Sequence, residues 1–222
     1  MKKLGIAIAL LAFTISVPAK AEIIDGSVTG GTAQAAGGTF VKLTVPLSNP
    51  FGPADSVGDD NFQSPNLFGF DEDQNIFLTA PLTVDVGTSP IPAGTTVASH
   101  YVFFDPGPSE HIIGTVDFDS DILGIITSTP TLAASDFLAK TGVNYLNPGA
   151  RGLEPGDSVT INGPKQILFD TFASSPGDYV RVLTEFSPTA AAVPEPGSLS
   201  LLGSGLLALA FLLRSRNSAR SI

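Results

Sequence analysis

Three carboxylates at alternate positions, Asp117, Asp119 and Asp121, are the side chains of this sequence best suited to chemistry. Side chains two residues apart point to the same side of an extended chain, so these carboxylates would repel one another unless a cation lay between them. Ca²⁺ binds about six to eight oxygen ligands of this kind. The favoured interpretation is three acids at the end of a strand that point to water. The alternative is a calcium site, to which Glu154 or Asp136 could add an oxygen ligand.

Two other acidic clusters, residues 59–60 and 71–73, lie in turn-rich sequence. Both are predicted to be solvated loops. Asp71 and Asp73, followed by Asn75, form a second alternating series of oxygen atoms, so a metal loop is the alternative at that place.

Residues suited to catalysis are scarce. The chain has no cysteine, which excludes disulfides and thiolate chemistry, and its only histidines are His100 and His111. No Gly-x-Ser-x-Gly sequence is present. Because there is no tryptophan to form a sugar platform, we expect no enzyme. A secreted hydrolase that uses a pair of carboxylates is left open.

The central part of the chain is strongly acidic. Residues 22–186 contain 20 acidic residues against five basic ones, which are Lys42, Lys140, Arg151, Lys165 and Arg181. Such a surface repels nucleic acid and attracts cations, so no nucleic-acid partner is expected. Arg151 and Arg181 are predicted to pair with nearby carboxylates, and an anion site at these arginines is the alternative.

Short runs rich in Val, Ile, Thr and Phe alternate with clusters of Gly and Pro, a pattern typical of β-strands separated by turns. The predicted strands cover residues 39–45, 75–79, 82–86, 95–104, 111–118, 157–161, 166–172 and 179–186. Their number and spacing predict a mainly β domain, an antiparallel β-sandwich of jelly-roll-like form, over residues 22–186. One short helix is predicted at residues 131–140, where Ala and Leu are frequent, and residues 87–94 are predicted to be a loop.

The first 21 residues have the three parts of a secretory signal peptide. Two lysines precede an apolar run from Leu4 to Val17, and Ala19 and Ala21 form the Ala-x-Ala pattern that signal peptidase recognises. The apolar run is too short to span a membrane comfortably. We therefore expect signal peptidase to cleave after Ala21 and the chain to be exported through the inner membrane.

A linker rich in Pro and Ala, residues 187–198, follows the predicted domain. Its central prolines favour an extended backbone with few internal hydrogen bonds, so the glutamate between them is presented for recognition. The motif consists of Val193, Pro194, Glu195, Pro196 and Gly197.

An apolar segment, residues 199–213, comes next. As a helix of about 1.5 Å per residue it would be roughly 22 Å long, which is short against a hydrocarbon core of about 30 Å. Arg214, Arg216 and Arg220 lie in the basic tail 214–222 and should remain cytoplasmic by the positive-inside rule. The segment therefore predicts a transmembrane helix that holds the central domain outside.

Together, the motif, the apolar segment and the arginines resemble the PEP-CTERM protein-sorting signal, from residue 193 to about residue 220. The resemblance implies that an exosortase, a membrane-embedded enzyme similar to cysteine transpeptidases, recognises and processes the tail. Residues 114–139, 151–154 and 175–182 also look like other PEP-CTERM cargo domains, which have no assigned activity.

These features predict an exported protein that is anchored in the membrane transiently and then reaches the cell surface or the extracellular space. Its domain is expected to have a structural or binding role in the extracellular matrix or a biofilm, with exopolysaccharide as a candidate partner. Two other roles are left open. One is a calcium-dependent carbohydrate-binding or adhesion module, and the other is the secreted hydrolase.

Overall fold

The computed structural model of the protein describes residues 20–186, which are built mainly from β-strands. The strands are β1 (Ile23–Gly30), β2 (Phe40–Lys42), β3 (Ser56–Val57), β4 (Leu67–Asp71), β5 (Ile76–Phe77), β6 (Val86–Gly87), β7 (Thr96–Phe104), β8 (Glu110–Phe118), β9 (Ile122–Ile126), β10 (Asn144–Tyr145), β11 (Ser158–Ile161), β12 (Gln166–Ala173) and β13 (Asp178–Glu185). Two short α-helices, α1 (Gly31–Ala35) and α2 (Thr129–Ala134), and a 3₁₀ turn at Asp136–Leu138 accompany them.

The strands form two large sheets. One sheet has four strands in the order β1-β8-β12-β11, and the other has seven, in the order β2-β4-β7-β13-β9-β6 with β5 also paired to β7. The connections from β7 to β8, from β8 to β9 and from β12 to β13 each lead from one sheet to the other. A separate short pair joins β3 and β10.

One hydrophobic core lies between the two sheets. Val116 and Phe169 point into it from the four-stranded sheet, and Val102 and Val182 meet them from the seven-stranded sheet. Along β8 and β12 every second residue is buried, as expected where successive side chains point to opposite faces of a sheet. The outer face of the four-stranded sheet is therefore accessible to solvent.

The seven-stranded sheet is covered on its second face as well. Phe70, Tyr101, Phe103 and Leu183 pack there against loop residues and against Leu132 of α2. We call this the loop-covered face. Because both faces of the sheet are covered, β7 and β13 are buried along almost their whole length.

The prediction of a mainly β domain is confirmed. The prediction that the strands pair in antiparallel fashion is wrong for two pairs, β2 with β4 and β3 with β10, which are parallel. Three strands that were not predicted, β1, β4 and β9, belong to the two large sheets. Of the predicted strand 82–86 only Val86 lies in a strand, and Leu82 forms an isolated bridge to Ile91. The jelly-roll-like connectivity stays a prediction.

The helix predicted at residues 131–140 is shorter and is interrupted at Ser135. Pro130 lies in the first turn of α2, where its missing N–H leaves no hydrogen bond unmade. The Ser135 hydroxyl donates a hydrogen bond of 2.9 Å to the carbonyl oxygen of Leu132, and such local bonds compete with a regular helix. The 3₁₀ turn follows directly.

Candidate functional site

An ionic network of three buried residues, Glu72, Arg151 and Arg181, and the partly exposed Asp136 lies on the loop-covered face of the seven-stranded sheet. Arg181 of β13 forms a bidentate ion pair with Glu72, the residue after β4. Arg181 Nε donates to Glu72 Oε2 at 2.6 Å, and Nη2 donates to Oε1 at 2.9 Å. Arg151 forms a similar contact with Asp136, with Nη2 to Oδ2 at 2.6 Å and Nη1 to Oδ1 at 3.1 Å. Nη2 of Arg181 also lies 3.3 Å from Asp136 Oδ1, which joins the two pairs.

Hydroxyl groups add hydrogen bonds to the ionic network, in which Arg151 Nε is buried without a hydrogen-bond partner within residues 20–186. Ser99 Oγ donates to Glu72 Oε2 at 2.5 Å, and Tyr145 Oη donates to Glu72 Oε1 at 2.6 Å. Burial alone lowers the pKa of Arg181, but the paired Glu72 carboxylate outweighs it and raises this pKa. Burial also raises the pKa of Tyr101, whose ring centre lies 5.5 Å from the Arg181 guanidinium, to about 12. Both arginines are therefore charged partners of carboxylates, as the sequence predicted.

The acidic cluster at residues 71–73 is not a single solvated loop. Glu72 is fully buried in the ionic network, because neighbouring residues at the end of β4 point to opposite faces of the sheet. Asp73 accepts a hydrogen bond of 2.8 Å from Thr141 Oγ1. The prediction of a solvated loop is therefore wrong for Glu72.

Asp71 points to the opposite face, between the two sheets. Its Oδ2 lies 2.8 Å from Lys42 Nζ, and its Oδ1 lies 2.8 Å from His100 Nδ1. Burial alone raises the pKa of Asp71, but the contacts with His100 and Lys42 outweigh it and hold this pKa below its ordinary value. Asp71 also accepts a hydrogen bond of 2.9 Å from the Ile23 backbone N–H, which fixes the start of β1.

The two histidines occupy different environments. His100 is fully buried, and its Nε2 lies 3.1 Å from Thr184 Oγ1. His111 is on the outer face of the four-stranded sheet, where its Nε2 lies 2.7 Å from Asp170 Oδ1 and its ring stacks on Phe172 at 4.1 Å. Neither imidazole is hydrogen-bonded to a serine hydroxyl within residues 20–186, so this part of the chain presents no Ser–His pair for nucleophilic catalysis.

The three carboxylates of the alternative calcium site lie at the C-terminal end of β8 and in the turn that follows it. Asp117 is in the strand, and its Oδ1 accepts a hydrogen bond of 2.7 Å from Gln166 Nε2 of β12. β8 ends one residue later, at Phe118. Because Asp119 and Asp121 lie in the turn before β9, the alternation that would align all three side chains is lost.

Asp119 and Asp121 have separate partners in that turn. Asp119 Oδ1 accepts a hydrogen bond of 2.9 Å from the Glu22 backbone N–H, and Asp121 Oδ1 lies 3.9 Å from Lys165 Nζ. Among the described residues no group of three or more acidic or histidine side chains is arranged to hold a metal ion. Asp136, one of the two predicted additional ligands, belongs to the ionic network. A calcium site at Asp117, Asp119 and Asp121 therefore stays the alternative interpretation, and a titration decides between the two.

Millimolar Ca²⁺ is expected to leave the Tm of the exported domain unchanged, because the three carboxylates already have different partners. A ligand that binds the folded state raises Tm by mass action, so thermal melting with and without Ca²⁺ measures the binding. A rise in Tm that Asp119→Asn abolishes would contradict this expectation and would establish the calcium site.

Most residues of the two predicted terminal signals lie outside the described part of the chain. Ala19, the motif at residues 193–197 and the arginines at positions 214, 216 and 220 are among them, as is the predicted transmembrane segment 199–213. Ala21 is described and is fully buried. Within residues 20–186 no helix has the length and apolar character needed to cross a membrane.

The described residues define a mainly β domain with an ionic network on one covered face and an open outer sheet face. At the C-terminal end of the chain, residues 192–216 match the family model of the PEP-CTERM protein-sorting motif. This match confirms the resemblance seen in the sequence, and it implies export, recognition by an exosortase-type enzyme and processing at the membrane. Neither a curated protein nor a solved structure matches the chain.

Proposed function

We propose that this protein is a non-enzymatic component of the cell surface or the extracellular matrix. The sorting motif at residues 192–216 carries this proposal, since it directs an exported chain to a membrane-bound processing enzyme. Removal of the tail also removes Arg214, Arg216 and Arg220, which leaves residues 22–186 with 20 acidic and five basic residues. Such a domain remains soluble through charge repulsion and attracts cations.

The outer face of the four-stranded sheet supports a binding role for the domain. Phe172 is 63 % exposed and stacks on His111, which gives an aromatic ring with one covered face and one open face. Asp170 of β12 lies on the same side of this sheet and contacts His111. An aromatic ring with a carboxylate nearby suits a polysaccharide, whose sugar rings have apolar faces and hydroxyl edges. Exopolysaccharide is therefore the partner that we propose.

The combined variant Pro194→Ala with Glu195→Ala is expected to block processing of the tail, because it removes the residues that the linker presents for recognition. The unprocessed chain should accumulate in the membrane fraction, and the released form should fall at least about tenfold if recognition loses about 1.4 kcal/mol or more. Immunoblots of membrane, surface and medium fractions measure both forms.

Pro188→Ala is the matched control, since it removes a linker proline that lies before the matched residues 192–216. It should be processed like the unaltered chain. If the Pro194 and Glu195 variant were processed and localised normally, the motif would not direct sorting and the proposed location would fail.

A further inference from the structure

Hydrogen bonds with Asp119, Asp71 and Lys42 fix the backbone of the two residues where the chain enters β1. The Glu22 backbone N–H donates to Asp119 Oδ1 at 2.9 Å, and the Asp119 backbone N–H donates back to the Glu22 carbonyl oxygen at 3.0 Å. The backbone of Ile23 is held by two side chains. Its N–H donates to Asp71 Oδ1 at 2.9 Å, and its carbonyl oxygen accepts from Lys42 Nζ at 2.7 Å. Glu22 and Ile23 therefore occupy fixed positions in the fold.

Predicted cleavage by signal peptidase falls at this place. Hydrolysis adds one water across the peptide bond between Ala21 and Glu22. The C–N bond breaks, Ala21 leaves with a carboxylate, and the Glu22 nitrogen becomes an α-ammonium group. That nitrogen is the atom that already lies 2.9 Å from Asp119 Oδ1.

We propose that Asp119 is the binding site for the α-ammonium group of the mature N-terminus at Glu22. Cleavage converts a neutral amide donor into a charged donor, so the hydrogen bond to the Asp119 carboxylate becomes a contact between two opposite charges. The inference rests on the predicted cleavage after Ala21 and is independent of the proposed role at the cell surface.

The Asp119 carboxylate has room for the additional donors of an ammonium group. An amide nitrogen offers one N–H, whereas an α-ammonium offers three. Oδ1 of Asp119 accepts from Glu22 and from Ser120 Oγ at 3.1 Å, and within residues 20–186 no hydrogen bond reaches Oδ2. The second oxygen can therefore take an N–H that exists only after cleavage.

Other charged groups surround the site on each side. Lys165 Nζ donates to the Asp119 carbonyl oxygen at 2.7 Å and lies 3.9 Å from Asp121. Lys42 Nζ lies 3.5 Å from the Glu22 carboxylate and 2.8 Å from Asp71. The nearby lysines thus already contact carboxylates, and Asp119 is the acidic side chain that directly contacts the Glu22 nitrogen.

The test uses the protein exported and processed by cells. Mass spectrometry first establishes whether the chain begins at Glu22. The pKa of the α-amine is then measured from the pH dependence of its acetylation rate, followed on the N-terminal peptide. Beside Asp119 this pKa should lie about one unit above its ordinary value of about 7.7–8.0.

Asp119→Asn should return the pKa of the α-amine to the ordinary range, while the matched change Asp121→Asn should leave it raised, because Asp121 contacts Lys165 instead. A chain that begins at Ala21 moves the amine away from Asp119 without changing any side chain. The α-amine of this longer chain should have an ordinary pKa, and this result can be obtained even if Asp119→Asn does not fold. Equal pKa values in the mature protein and in this longer chain, or an N-terminus other than Glu22, would overturn the proposal.

Discussion

Replacing Arg181 with methionine should lower the free energy of unfolding by about 3–5 kcal/mol, the usual cost of removing one partner from a buried ion pair. Neither Arg181 nor Glu72 is exposed to solvent, and two hydrogen bonds of 2.6 and 2.9 Å join them. Without the guanidinium, the buried Glu72 carboxylate would keep only the hydroxyl donors of Ser99 and Tyr145. Equilibrium unfolding in urea, followed by circular dichroism, measures the loss.

Lys165→Met is the control for this prediction. Lys165 and Asp121 form an exposed pair at 3.9 Å, and exposed pairs contribute about 0–1 kcal/mol. The double variant Arg181→Met with Glu72→Met should be less destabilised than Arg181→Met alone, because it leaves no uncompensated charge on the Glu72 side. If Arg181→Met were as stable as Lys165→Met, the network would not stabilise the fold.

The ionic network also selects which loops cover the sheet. Glu72 and Arg181 are 109 residues apart in sequence, and Asp136 brings the 3₁₀ turn that follows α2 to the same place. An arrangement in which any of these segments packed elsewhere would leave a charge buried without its partner. The network therefore favours one arrangement of the loop-covered face over other compact ones.

Strands were predicted most accurately from the sequence where one face of the sheet is accessible to solvent. In β8 and β12 buried and accessible residues alternate, and both strands were predicted nearly to their ends. β4 and β9 instead read as short apolar runs that contain glycine, because the seven-stranded sheet is covered on both faces. Such runs lack the period of two that marks a strand. β1 was missed since it follows the leader directly and contains Asp25 and Gly26.

For the candidate sites, residue type was more informative than spacing. The rarity of arginine in an acidic domain correctly predicted that Arg151 and Arg181 pair with carboxylates. Their partners could not be predicted, since Glu72 is far away in sequence and lies in a cluster that reads as a loop. The spacing of Asp117, Asp119 and Asp121 predicted a common face, but that inference requires an extended chain, and β8 ends at Phe118.

The domain should lose stability as the pH rises from about 4 to about 8, because two buried aspartates retain their protons in the folded state. Asp105 is fully buried and Asp178 is 3 % exposed. Burial raises the pKa of Asp105 to about 6 and the pKa of Asp178 to about 7. In each carboxyl one oxygen is buried without a hydrogen-bond partner within residues 20–186, so ionisation in place is unfavourable.

The sign of the effect follows from the two protonation equilibria. In the unfolded chain both groups ionise near a pKa of about 3.9, so between that pH and the folded-state values the folded protein binds more protons. Over this window each group lowers stability by up to about 1.4 kcal/mol per pH unit, and the total decrease should be on the order of several kcal/mol. The pKa of Asp71 is lowered in the folded state. Asp71 therefore adds stability as the pH rises, but only below about pH 4.

The double variant Asp105→Asn with Asp178→Asn should flatten this pH dependence, because asparagine keeps the shape of the side chain and carries no charge at any pH. Its free energy of unfolding should be close to that of the unaltered domain at about pH 4 and clearly higher at about pH 8. Asp121→Asn, at an exposed position, should retain the full slope. Asp121→Asn shows whether the loss of an exposed carboxylate by itself changes the slope. Equal slopes in the unaltered domain and the double variant would show that Asp105 and Asp178 ionise freely in the folded protein.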